Sequence, residues 1–238
     1  MDTAAVPLAD VPSGASEISR SPSGLGPRLR VTGLRLSRGN RQIAVPDFRV
    51  GAGESAALVG PSGSGKTTAL MALSLMHPPV DGSVAIDGTE PWTLSRRARD
   101  RFRGAHIGLI FQSFHLVDAL SVRANIALAA RCVGQAADQE RLNHLLAQLG
   151  LAEVADRRAD RISHGQAQRT AVARALMNRP SIILADEPTS ALDDRNTEIL
   201  LSLLKMCAAT EKVALLIASH DRRVLDAIDH TVRLDGAA

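Results

Sequence analysis

From residue 29 to residue 234, short apolar runs alternate with stretches of helical periodicity, and their order predicts a fold class. Residues 29–36, 42–50 and 55–59 read as strands, being apolar or alternating and bounded by turn residues. Gly, Pro and Ser then crowd positions 60–65, and 67–76 has helical composition that stops ahead of Pro78 and Pro79. Residues 83–86, followed by the turn pair Asp87 and Gly88, predict a further strand that closes a hairpin. After the apolar run 107–111 the spacing turns helical from about residue 121 to 161, with Leu142, Leu145, Leu146 and Leu149 on one face. Helix and strand alternate again over 166–178, 182–185, 194–207 and 213–218, with a last strand near 231–234. The pattern predicts an α/β protein: a nucleoside-triphosphatase core on a parallel sheet, an antiparallel β edge, and a helical insertion over about 113–162.

Residues 1–28 hold Pro, Ser, Gly and Ala with scattered acids and lack a basic segment followed by an apolar stretch. A disordered tail is expected there, with the folded unit over 29–236. No apolar run approaches the length that crosses a bilayer. Two cysteines far apart, Cys132 and Cys207, fit neither a zinc site nor a disulfide framework and suggest a reduced, cytosolic setting. Aromatic residues are scarce, with four Phe, one Trp and no Tyr, which argues against a stacking platform for single-stranded nucleic acid. Lys+Arg 28 against Asp+Glu 25 gives a net charge of +3, too small to argue for DNA. The only lysines are Lys66, Lys205 and Lys212, an imbalance that reads as coding bias.

The chemistry begins at Gly60, Pro61, Ser62, Gly63, Ser64, Gly65, Lys66, Thr67 and Thr68, where a strand hands over to a helix. Phosphate needs several N–H donors at close approach, so glycines keep the backbone bare while the helix N-terminus adds its positive end. Lys66 would reach the β and γ phosphates, and the Thr67 hydroxyl would ligate Mg²⁺. A triphosphate site also needs a carboxylate for the metal and a group that positions the attacking water. Both follow the apolar strand that ends in Asp186 and Glu187: Asp186 for the Mg²⁺ shell, Glu187 as general base. Taken alone, this pair could be an acidic helix N-terminus.

His220 ends the next apolar strand and Gln112 ends an earlier one, so both fall on the ligand-binding edge of an open sheet. His220 there could contact a γ-phosphate, although a lone His at a strand end is ordinarily a surface residue, as Gln112 could be a plain loop residue.

Ser163, His164, Gly165 and Gln166 form a polar loop that opens a helix, a second potential anion site. Together with the phosphate loop, Asp186 and Glu187, the stretch holding Ser190 and Asp193, Gln112 and His220, this segment resembles the ATP-binding cassette (ABC) ATPases. The resemblance implies ATP and Mg²⁺ as cofactors, with Gln112 joining Thr67 and Asp186 at the metal and Gln112 and His220 joining Glu187 in catalysis. It implies a head-to-tail dimer with a second copy, each ATP lying on Lys66 of one chain and facing Ser163, His164, Gly165 and Gln166 of the other. Ser190 and Asp193 would carry cross-talk between the two sites. It further implies integral membrane permease subunits, a peripheral place on the cytoplasmic face of the inner membrane, no nucleic-acid partner, and coupling helices received around Gln112 and the helical insertion.

Residues 97–128 look like the group of lipoprotein-releasing, macrolide-export and cell-division cassettes: Phe114, Leu116, Leu120, Val122 and Asn125 fit that group's pattern, while Asp118 and Ala124 depart from it. The Arg-rich stretch 96–103 reads as a solvated helix face or an anionic-lipid contact. Two positions stand apart from the family pattern. His164 occupies the third place of the usual LSGGQ, and Arg38 stands where an aromatic ring often lies under adenine; its guanidinium plane would stack instead. Besides transport, a nucleotide-gated regulator of a membrane-bound complex fits the same motifs. A chromosome-maintenance ATPase does not, because no sustained heptad pattern separates Lys66 from Ser163.

Overall fold

In the computed structural model, which describes residues 26–228 and 230–235, the chain forms two sheets with helices packed around and between them. The expected tail therefore falls almost wholly outside the described residues. In chain order the elements are β1 (Leu29–Arg38), β2 (Arg41–Ala44), β3 (Phe48–Val50), β4 (Ser55–Val59), α1 (Lys66–Leu73), β5 (Asp81–Ile86), α2 (Arg96–His106) and β6 (Ile107–Phe111). There follow α3 (Val122–Cys132), α4 (Gln139–Gln148), α5 (His164–Leu176), β7 (Ile182–Asp186), α6 (Asp194–Glu211), β8 (Ala214–Ser219), α7 (Arg222–Ala227) and β9 (His230–Arg233).

Five parallel strands make the central sheet, in the order β6-β7-β8-β4-β9. Its inner strands read as unbroken apolar runs because both faces are covered, as parallel sheets require. Side chains alternate between the faces: Ala57, Val59, Ile183, Ala185, Leu215 and Ile217 join one core cluster, and Ala56, Leu58, Ile182, Leu184, Ala214 and Leu216 join the other. The first cluster is closed by α3, α4, α5 and α6, the second by α1 and the antiparallel sheet. Leu142, Leu145, Leu146 and Leu149 are all buried in the first. Arg141 ties α4 to its neighbours, donating to both carboxylate oxygens of Glu211 at 2.9 Å and to Leu176 O at 3.0 Å.

Three readings of the chain change shape in the structure. The antiparallel strands are not an edge of the parallel sheet but a sheet of their own, in which β1 pairs with β2, β3 and β5. The strand expected over 42–50 is split into β2 and β3 around Pro46, which has no N–H to offer a ladder. The turn at Asp87 and Gly88 does form, both residues having positive φ, but it closes only on Thr89, and β5 finds its partner in β1 instead. A helix that the alternation did not reveal, α7, follows His220 and is capped by Asp221.

Gly108 shows how closely α5 presses on the sheet. A Cβ at this position of β6 would lie 2.5 Å from Ala175 O, so only a bare backbone lets the helix approach.

Candidate functional site

Because the central strands run parallel, β4, β6, β7 and β8 deliver their carboxyl ends to one edge of the sheet. Register fixes the neighbours: Phe111 stands beside Asp186, Asp186 beside Ala218, and Ser219 beside Val59. The residue after each strand end is Gln112, Glu187, His220 or Gly60. Four positions far apart in sequence thus meet in one row, at the place where open α/β sheets bind ligands.

The loop from Gly60 to Gly65 turns β4 into α1 with Gly63 at φ 78° and Gly65 at φ 103°. At Gly65 a side chain is excluded twice over, by this φ and by Ile43 Cδ1, which a Cβ would meet at 2.6 Å. The β1-β2 hairpin therefore roofs the loop, and Arg41 Nη1 donates to Gly63 O at 3.4 Å. Arg38 pairs with Arg41 in the hairpin register and is exposed. Lys66, buried at the start of α1, donates from Nζ to Gly60 O at 2.8 Å and to Pro61 O at 3.3 Å, and Nζ lies 3.9 Å from Glu187 Oε1. Thr68 is buried and Thr67 exposed.

Beside the loop stand the two acids, in different environments. Asp186 accepts a hydrogen bond from Thr67, yet burial and then the charge of Glu187 hold its carboxyl above the usual range. Its Oδ1 is buried with no hydrogen-bond partner among the described residues. A buried oxygen left without a donor, on a carboxylate hard to keep charged, suits a divalent cation, and Thr67 supplies a hard oxygen next to it.

Glu187 is fixed from every side. It adopts φ 46°, uncommon for a residue with a side chain, and its N–H donates to Ala218 O at 2.9 Å. His220 Nδ1 donates to Oε1 at 2.7 Å, and Ser219 Oγ to Oε2 at 3.0 Å. Ser190 Oγ donates to the Glu187 carbonyl at 3.0 Å. Thr189 Oγ1 donates to Asp221 Oδ2 at 2.9 Å, and the hydrogen bonds of Arg223 hold the Asp221 carboxyl down at about 2. This staples the Glu187 turn to the His220 turn through a carboxylate that stays charged at neutral pH. With Nδ1 turned to Glu187, the other ring nitrogen of His220 is left to face a ligand, its side chain being 63% exposed. Gln112 is exposed one residue past the partner of Asp186.

The remaining predicted residues lie elsewhere in the single chain. Ser163 caps α5, its Oγ accepting from Gln166 N–H at 3.3 Å while Gln166 Oε1 accepts from Ser163 N–H at 2.9 Å. His164 and Gly165 form the first turn. No hydrogen bond or ion pair joins these four residues to the phosphate loop among the described residues. Asp193 caps α6, accepting from Asn196 N–H at 2.8 Å. Of the supporting residues, Ser219 had a signal in the sequence, a second polar residue at the end of an apolar run. Arg41, Ile43 and Arg223 had none, because only folding places them.

The family model described as ABC transporter matches residues 43–190, well over half of the chain. The chain belongs to the ABC transporter family. The cassette is 39% identical over 218 residues to the lipoprotein-releasing system ATP-binding protein LolD of Anaeromyxobacter dehalogenans, covering 87% of this chain and 90% of that one. It is 38% identical over 200 residues to the bacitracin export ATP-binding protein BceA of Halalkalibacterium halodurans, covering 81% and 79%. Among solved structures it resembles the dimeric post-hydrolysis state of the ATP-binding cassette MJ0796 bound to ADP and Pi, with a TM-score of 0.72, 29% identity, and 87% and 94% of the two chains covered. The cassette is an ATPase, the ATP-binding subunit of an ABC transporter. Among the described residues no helix is long and apolar enough to cross a membrane.

Proposed function

We propose that the cassette hydrolyses ATP at the edge where β4, β6, β7 and β8 end, in an ATP-sandwiched head-to-tail dimer that drives membrane permease subunits. The observation that carries this reading is the fixed carboxylate of Glu187, 3.9 Å from the Lys66 ammonium and held by His220 and Ser219, with Ser190 bonded to the backbone carbonyl of the same residue. The backbone from Gly60 to Thr68 holds the phosphates, and Lys66 neutralises their charge. Glu187 takes the proton of the attacking water, and His220 orients that carboxylate from one nitrogen and meets the γ-phosphate with the other. Thr67, Asp186 and Gln112 hold Mg²⁺, which supplies Lewis-acid polarisation of the phosphate oxygens. From the second copy, the capped N-terminus of α5 with Ser163, His164, Gly165 and Gln166 closes on the nucleotide, while Ser190 and Asp193 face the other site. These roles place the cassette peripherally on the cytoplasmic face of the inner membrane.

The relatives named for lipoprotein release and for bacitracin export stand at nearly the same identity. Cargo choice is therefore assigned to the permease. The test is the ATPase rate of the purified chain with and without candidate permeases in lipid: the rate rises, and the chain co-purifies with the permease. A full rate alone, with no permease retained, refutes the transport role.

Arg38 is assigned to the adenine, since it lies on the hairpin that covers the phosphate loop. Arg38→Ala is expected to weaken ATP and GTP binding by the same small factor in a fluorescent-nucleotide titration, because a stacking plane does not read the base edge. Unchanged binding removes Arg38 from the site.

A further inference from the structure

The capped N-terminus of α5 carries a side chain that phosphate contact through backbone N–H groups does not require. The ring of His164 lies 5.0 Å from that of Phe114, tilted by 59°. Phe114 follows Gln112 by two residues, so the ring contact reaches the loop at the end of β6. The same loop is gripped a second time from α5. Arg174 donates from Nη2 to Phe114 O and from Nη1 to His115 O, both at 2.6 Å. Helical side chains lean toward the N-terminus of their helix, which lets an arginine further along α5 reach back to the loop that His164 touches. His115 is left in the left-handed region at φ 47°, and its ring meets that of Phe111 edge-on at 5.1 Å. The stretch after β6 is thus clamped between its own strand and the face of α5. A glycine at position 164 would keep the Arg174 bonds but leave the Phe114 ring without this partner.

We infer that His164 is a positioning residue that makes the loop of Gln112 and the N-terminus of α5 move as one unit. The inference rests on the head-to-tail reading above, under which these two parts of one chain meet different ATP molecules. Gln112 faces the chain's own nucleotide, and the first turn of α5 faces the partner's. A rigid link between them passes engagement at one ATP to the loop at the other, so His164 and Phe114 together set how strongly the two sites cooperate.

The test uses the full chain. Hydrolysis rates are measured across ATP concentration for wild type, His164→Gly, His164→Phe, Phe114→Leu and the double variant His164→Gly/Phe114→Leu. ATP-driven dimer formation is followed by size-exclusion chromatography in a Glu187→Gln background. His164→Gly is expected to lower the Hill coefficient and to raise the half-saturating ATP concentration about two- to ten-fold, the size of one aromatic pair. Phe114→Leu does the same, the double variant is no worse than either single one because both remove one contact, and His164→Phe restores cooperativity. Single effects that multiply in the double variant overturn the inference. So does a His164→Phe chain as impaired as His164→Gly, which would assign the effect to an imidazole nitrogen on phosphate. Failure of the Glu187→Gln chain to dimerise with ATP, with His164 intact, overturns the head-to-tail reading and the link with it. Multiplying effects in a chain that does dimerise overturn the link alone.

Discussion

Glu187→Gln is expected to bind ATP, to lose at least about 100-fold in turnover, and to accumulate as an ATP-bound dimer, the loss being the lower end of what a positioned general base contributes. The replacement is nearly isosteric, so the Ser219 hydroxyl keeps an acceptor in the side-chain amide and the turn at φ 46° keeps its carbonyl bond from Ser190. What disappears is the oxygen pair able to accept a proton, together with a negative charge 3.9 Å from Lys66. Removing that charge from beside a triphosphate favours binding, while removing the base stops the cycle before the dimer opens. The three readouts are a nucleotide titration, a single-turnover ATPase assay, and chromatography with ATP and with ADP. Retained turnover would take Glu187 out of the role of base.

Lys66→Ala is expected to weaken ATP binding about 10- to 100-fold, the equivalent of one charge-assisted hydrogen bond. Its ammonium sits at the mouth of the phosphate loop, held by the carbonyls of Gly60 and Pro61, and it is the one lysine on this edge of the sheet. Alanine is a good helix former at the first position of α1, so the helix persists and the loss is local. A titration with AMP serves as the control: it lacks the β and γ phosphates, and its binding should not change. Equal losses for ATP and AMP would instead mean that the loop itself had collapsed. Unchanged ATP binding would refute the assignment of Lys66 to the phosphates.

The residues proposed for the chemistry could be picked out because each occupies a short, local pattern. Glycines before Lys66, an apolar run before Asp186 and Glu187, and another before His220 are statements about neighbours in the chain, and strand ends can be read from where apolarity stops. What holds Glu187 was only partly legible. Ser219 adjoins His220, but the bond from its hydroxyl to Oε2 depends on β8 lying beside β7. Arg223 reaches Leu192 O and Asp194 across the site, and nothing in the sequence marks that pairing. The roof over the phosphate loop escaped for the same reason, since Ile43 and Arg41 approach Gly65 and Gly63 only once the antiparallel sheet folds over α1.

By itself, then, the sequence determined the alternation of strands and helices, the glycine-rich loop between β4 and α1, the acid pair at the end of β7, and the family. These follow from local propensity and from the burial of parallel strands on both faces, which leave a trace in consecutive residues. The tertiary structure alone decided that the antiparallel strands form a separate sheet, that Asp186 keeps an oxygen without a partner among the described residues, and that His164 meets Phe114. Such facts depend on strand order and on the approach of helices to sheets. They are set by long-range packing of whole elements, which no window along the chain contains.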